Sequence, residues 1–113
     1  MWETIMDTER VAKNEALFRG VNERIAETAQ RFDAPEAEFV CECADSSCTD
    51  RIEATLADYE RVRSDGARFL VRPGHEDQRF ERVVADRNQF RIVEKLHAVG
   101  RLARRLNPRA ELA

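Results

Sequence analysis

Three cysteines fall within eight residues, Cys41-Glu42-Cys43-Ala44-Asp45-Ser46-Ser47-Cys48, and the chain has no others. The preceding run Glu38-Phe39-Val40-Cys41-Glu42-Cys43 alternates like a strand, so Cys41 and Cys43 share one face. Ala44-Asp45-Ser46-Ser47 is turn chemistry, its short polar side chains able to bond local backbone. Such a turn brings Cys48 back over the face of the first two. Three converging thiols in a reducing compartment point to a metal more than to a disulfide. Structural zinc takes four ligands in a tetrahedron, closed by sulfur and imidazole nitrogen. A fourth ligand must then come from elsewhere in the chain.

The chain holds two histidines, His75 and His97. His75 follows Pro73-Gly74 at the end of a predicted strand, where a turn leaves room for an imidazole to face a neighbouring strand end. His97 sits beside Leu96 among arginines, with nothing to group it with the thiols. The expected site is therefore Cys41, Cys43, Cys48 and His75 around a structural zinc. Plain reduced cysteines and an iron–sulfur or thiol redox site are the alternatives. The nearby acids Glu42, Asp45 and Asp50 are expected in solvent, Asp50 alternatively orienting the imidazole as an acceptor.

Around this centre the sequence predicts an α+β domain: a long N-terminal helix, a small mostly antiparallel sheet and a C-terminal helix. Val11, Phe18, Ile25 and Phe32 recur every seven residues, with Leu17 and Val21 in the same stripe. Thr4 and Asp7 give a capping signal for its start, and Asp33-Ala34-Pro35 a stop. The stripe packs on the rest of the domain or pairs with a partner helix or its own copy; Val11, Phe18, Val21 and Ile25 are the candidate partner-binding residues. Cys48 to Leu56 reads as a returning strand running into a short helix with Leu56, Tyr59 and Val62 on its apolar side. Phe69-Leu70-Val71 reads as a strand, and Phe80–Ala85 with Phe90–Glu94 as a hairpin. From Ile92 a helix is expected through Leu96, Val99, Ala103 and Leu106, ending before Pro108. One domain covers 1–113: a helical arm at 1–34, a metal-stabilised core at 36–95 and a C-terminal helix at 96–107.

Several of these segments together resemble a known family. Phe39-Val40-Cys41-Glu42-Cys43, Cys48, Tyr59-Glu60-x-Val62-Arg63, Phe69-x-Val71-x-Pro73-Gly74-His75 and Val93-Glu94-Lys95 are similar to short uncharacterised proteins of actinobacterial type. The likeness spans roughly residues 13 to 95, and its C-E-C…C…P-G-H skeleton is the most specific part. The resemblance implies a metal role for the four Cys and His positions and carries no activity.

Composition agrees with a need for a staple. Leu, Ile, Val and Phe number 26 of 113 residues, little more than the roughly 20% below which disorder is the better expectation. Zinc binding of about 10–16 kcal/mol, as in zinc fingers, decides whether so thin a core folds. No apolar run approaches the roughly 18 residues of a membrane span, and Glu3, Asp7, Glu9 and Arg10 interrupt any secretory signal. A cytoplasmic protein without membrane partners is expected.

Net charge is −3, unevenly spread: residues 35–65 carry nine acids and three bases, residues 66–113 eleven bases and six acids. There is no H-E-x-x-H, no G-x-S-x-G, no phosphate-cradling loop and no deaminase signature, so no enzyme is indicated. The expected function is a zinc-stabilised adaptor or regulatory domain that docks a protein partner or self-associates through the N-terminal helix. The alternative is a nucleic-acid-binding regulator using the Arg-rich C-terminal third, with Arg101, Arg104 and Arg105 on one helix face. A pI near 5.5 and the acidic middle weigh against it.

Overall fold

The first thirty residues contain no proline and one glycine among many good helix formers, and nothing in them opposes a long helix. In the computed structural model α1 spans Trp2–Arg31. Residues 2–43, 45, 47–107 and 109 are described, 2–8 by their backbone alone. The expected cap at Thr4 thus lies inside the helix, and its side chain falls outside the described residues, as do Ala44 and Ser46 of the turn and Pro108. The helix ends where expected. Asp33 takes a left-handed φ of 55°, and the amides of Asp33 and Ala34 donate to the carbonyls of Gln30 (3.1 Å) and Ala29 (2.8 Å). This pairing closes the last turn and turns the chain away before Pro35.

Strand β1 (Glu36–Val40) pairs antiparallel with β2 (Arg51–Thr55), with Phe39 opposite Ile52. Thr55 caps the short helix α2 (Leu56–Arg63) by accepting from the Asp58 amide at 3.0 Å. Strands β3 (Arg68–Val71), β4 (Glu81–Asp86) and β5 (Arg91–Lys95) form a second antiparallel sheet in the order β3-β5-β4. Helix α3 (His97–Arg105) follows.

Two of these observations correct the sequence reading. The single small sheet is two sheets, bridged at one point: Cys41 N–H donates to Asp50 O (3.1 Å), extending the β1–β2 ladder, and Glu42 N–H donates to Leu70 O on β3 (2.7 Å). Ile92 belongs to β5, and α3 starts five residues beyond it, because residues 91–95 are needed to fill the centre of the second sheet. Between the sheets and α2 lies the core, with Phe39, Ile52, Tyr59, Val62, Leu70 and Val93 fully buried. Phe39 and Tyr59 stack with ring centroids 4.6 Å apart.

The face that α1 turns to this core is not its apolar stripe. Ala12, Glu15, Arg19, Asn22, Ala26 and Ala29 are the buried ones. Val11, Phe18 and Ile25 are half-buried along one edge, while Leu17 (66%), Val21 (40%) and Phe32 (74%) are exposed. The reason lies in the backbone groups that two short sheets leave open. Asn22 accepts from Val40 N–H (2.8 Å) and donates to Val40 O (2.9 Å). Arg19 donates to the carbonyls of Gly66 and Arg68, its guanidinium 3.8 Å over the Phe69 ring. Buried polar groups must be paired, and these helix side chains pair them.

Candidate metal centre

Each ligand is placed by a local device. Cys41 and Cys43 leave the end of β1 still extended, with both side chains buried. Asp45 then makes an Asx turn, its Oδ1 accepting from Ser47 N–H (2.9 Å) and Ser47 Oγ (2.6 Å), and Cys48 N–H donates to Asp45 O at 3.0 Å. This turn returns Cys48 toward the first two thiols. His75 follows a tight turn closed by its own N–H on Arg72 O (3.0 Å), with Pro73 second and Gly74, at φ 92°, third. That sequence is what such a turn demands, since the third position is strained for any residue with a Cβ.

The ligand atoms of Cys41, Cys43, Cys48 and His75 all lie within 4.8 Å of one another. His75 Nδ1 is 3.6 Å from both Cys41 Sγ and Cys48 Sγ. A tetrahedral zinc with ordinary Zn–S and Zn–N bonds sets its sulfur and nitrogen ligands about 3.6 Å apart, so these two edges already have the required length. All four sequence-predicted ligands therefore come together.

The surroundings fit the same role. His75 Nε2 is 3.3 Å from Asp50 Oδ2. The ring thus presents Nδ1 to the sulfurs while the carboxylate holds its far side, as metal-bound imidazoles are commonly held. Arg72 N–H donates to Cys41 Sγ at 3.3 Å. Hydrogen bonding from the Cys41 thiol, with lesser contributions from His75 and others, pulls Cys43 down to about 5, against the effect of burial. The Cys41 thiol is pushed up by its bond to Cys43 and by burial, and Cys48 is pushed up chiefly by burial. One negative charge sits easily among the three sulfurs and two more do not. A dication removes that conflict and takes all three as thiolates. With four protein ligands the set is closed, the arrangement of a structural site rather than a catalytic one.

Glu42 departs from expectation. It is fully buried, not solvated. Alternation turns it away from its flanking cysteines and toward α1, where Oε2 accepts from Asn22 Nδ2 (2.7 Å) and Oε1 from Leu70 N–H (3.0 Å). The same period of two that grouped the cysteines places Glu42 on the opposite, inward face. Asp45 stays exposed and Asp50 leans on the imidazole.

The remaining candidates are scattered. His97 is exposed at the start of α3, away from the thiol cluster. Arg101, Arg104 and Arg105 are exposed on α3, and Arg104 is tied to Asp65 at 3.0 Å. In the hairpin region Arg68 and Arg82 pair with Glu94, Arg79 with Asp77, and Arg91 with Glu76. Much of the basic surplus is thus neutralised within the molecule. Among the described residues no helix is long and apolar enough to cross a membrane. Comparison with protein-family models, curated proteins and solved structures finds no match for this chain.

Proposed function

We propose that this is a cytoplasmic binding module whose fold is fastened by one structural zinc ion and whose task is to dock a protein partner along α1. The observation that carries the metal half is the meeting of Cys41, Cys43, Cys48 and His75, with His75 Nδ1 at tetrahedral-edge distance from two sulfurs. The same four positions form the Cys/His framework of the family that the sequence resembles, and membership of that family is part of this reading. The docking half is supported by the apolar flank that α1 leaves outside the core. The nucleic-acid alternative has less support, since Arg104 and most of the hairpin arginines are held by carboxylates.

Elemental analysis of the chain purified without added metal tests the proposal. One zinc per chain is expected, lost in Cys48→Ser and in His75→Ala. A metal-free chain, or iron with acid-labile sulfide, would contradict it.

A further inference from the structure

The outward side of α1 has a shape and a charge that specify what covers it. At 100° per residue, the buried residues Ala12, Glu15, Arg19, Asn22, Ala26 and Ala29 form one arc. Val11, Phe18 and Ile25 lie on its border, and Val21, Leu17 and Phe32 continue onto the solvent side. Beyond them, at the outer edge of this stripe, come Lys13, Arg24 and Arg31, all exposed. These three make no ion pair among the described residues, as Arg51, Arg87, Arg101 and Arg105 elsewhere on the surface also do not, whereas Arg63 and Arg109 beside the helix are bound to Glu23. Of the carboxylates of residues 9–31, Glu15 and Glu23 lie toward the body of the domain, and Glu9 and Glu27 form the next row round, behind Lys13 and Arg31 as seen from the stripe. The row next to the apolar stripe on its solvent side is thus basic.

The stripe also has a socket. A groove of about 590 Å³ opens between the C-terminal half of α1 and the start of β1, its walls Val21, Ile25, Ala29, Phe32, Ala34 and Ala37, with Arg24 as its one charged residue. From Leu17 to Phe32 the stripe runs roughly 22 Å, the length of about four helical turns.

We infer that this face receives an amphipathic helix of a partner protein, with its apolar side in the groove and a row of Asp or Glu against Lys13, Arg24 and Arg31. The inference rests on the docking role proposed above and not on which metal is bound. A second copy of this chain fits poorly. Antiparallel pairing through the stripe sets the two basic edges against each other, and parallel pairing drives the partner helix into the body that covers the opposite edge. A lipid surface leaves the concave groove unfilled, whereas helix-in-groove docking seats anchor residues there.

Selection from a displayed library of helical peptides against the metal-loaded full chain tests this. Enriched peptides are expected to carry apolar residues at i, i+4 and i+7 and acidic residues along one edge. Their affinity is expected to fall at least tenfold in Val21→Glu and in the double variant Arg24→Glu/Arg31→Glu, and to return on the double variant when the peptide acids are changed to lysine. All of these positions are exposed, so metal content and helicity check that the variants fold. Enrichment of basic or uncharged peptides, or affinity unchanged by charge reversal, would overturn the partner chemistry while leaving a docking role. A doubled mass in solution that Val21→Glu abolishes, or binding to phosphatidylserine vesicles in place of peptide, would overturn it in favour of those occupants. No binder at all would remove the docking role itself.

Discussion

Lys95 lies in the interior between two carboxylates, 2.6 Å from Glu15 and hydrogen-bonded to Glu81, all three nearly inaccessible to solvent. One ammonium cannot neutralise both acids. Burial raises Glu15 to about 7, with Lys95 opposing and Glu81 and Glu42 assisting. Burial works against the Lys95 charge too, but Glu15 and Glu81 outweigh it and lift its pKa. The cluster therefore takes up a proton on folding. A carboxyl with a raised folded pKa contributes stability that is complete below its ordinary pKa of about 4.5 and lost as pH rises through 7. With zinc saturating, Glu15→Gln is expected to remove that loss. Between pH 5 and 8 the wild type falls relative to the variant by about 2–3 kcal/mol, read from urea titrations at each pH. Parallel profiles would show that Glu15 is ionised throughout. None of this could be read from the sequence, because a search for apolar periodicity passes over Glu15, Arg19 and Asn22. Their partners, Lys95, Arg68 and Val40, are set by tertiary packing.

Among the elements, the strands and the hairpin were legible because their signals are local: alternation up to Cys43, a compact Phe69-Leu70-Val71 stopped by Pro73-Gly74, two apolar runs about Asp86-Arg87-Asn88. The division into two sheets was not, since strand partners are set by tertiary packing, and the sheets meet only where Glu42 N–H reaches Leu70 O across 28 residues. The helix α1 was legible in extent, but its stripe left two orientations open, and the structure turns the polar arc inward and leaves the apolar stripe at the rim. Gly20 lies in the middle of it, and an added Cβ there meets nothing within 4 Å. Gly20→Ala is expected to stabilise the chain by about 0.5–1 kcal/mol, since only the unfolded chain loses freedom. A chemical-denaturation midpoint that falls would show that the helix bends or packs at that point.

For the molecule as a whole, the four candidate ligands bring together the edges of both sheets. They come from the end of β1, the turn before β2 and the turn after β3. On the reverse side of the same segment, Glu42 ties it to Asn22 on α1 and to the backbone of β3. The four ligands were legible because period two and two short turns fix them locally. The orienting role of Asp50 became clear only with the β1–β2 register, which sets its carbonyl against Cys41 N–H. A small domain has about 5–15 kcal/mol of stability in all, and a structural zinc supplies a comparable amount. Loss of the ion should therefore be felt throughout the fold rather than at one corner.

Differential scanning calorimetry of the purified chain, before and after zinc is stripped by a chelator and alongside Cys43→Ser, tests this most directly. A single cooperative transition is expected with metal, falling by more than about 10 °C or vanishing in both altered samples, and returning when zinc is restored to the wild type. Melting within a degree or two of the untreated chain in either sample would contradict the claim that these four side chains hold the fold together through an ion.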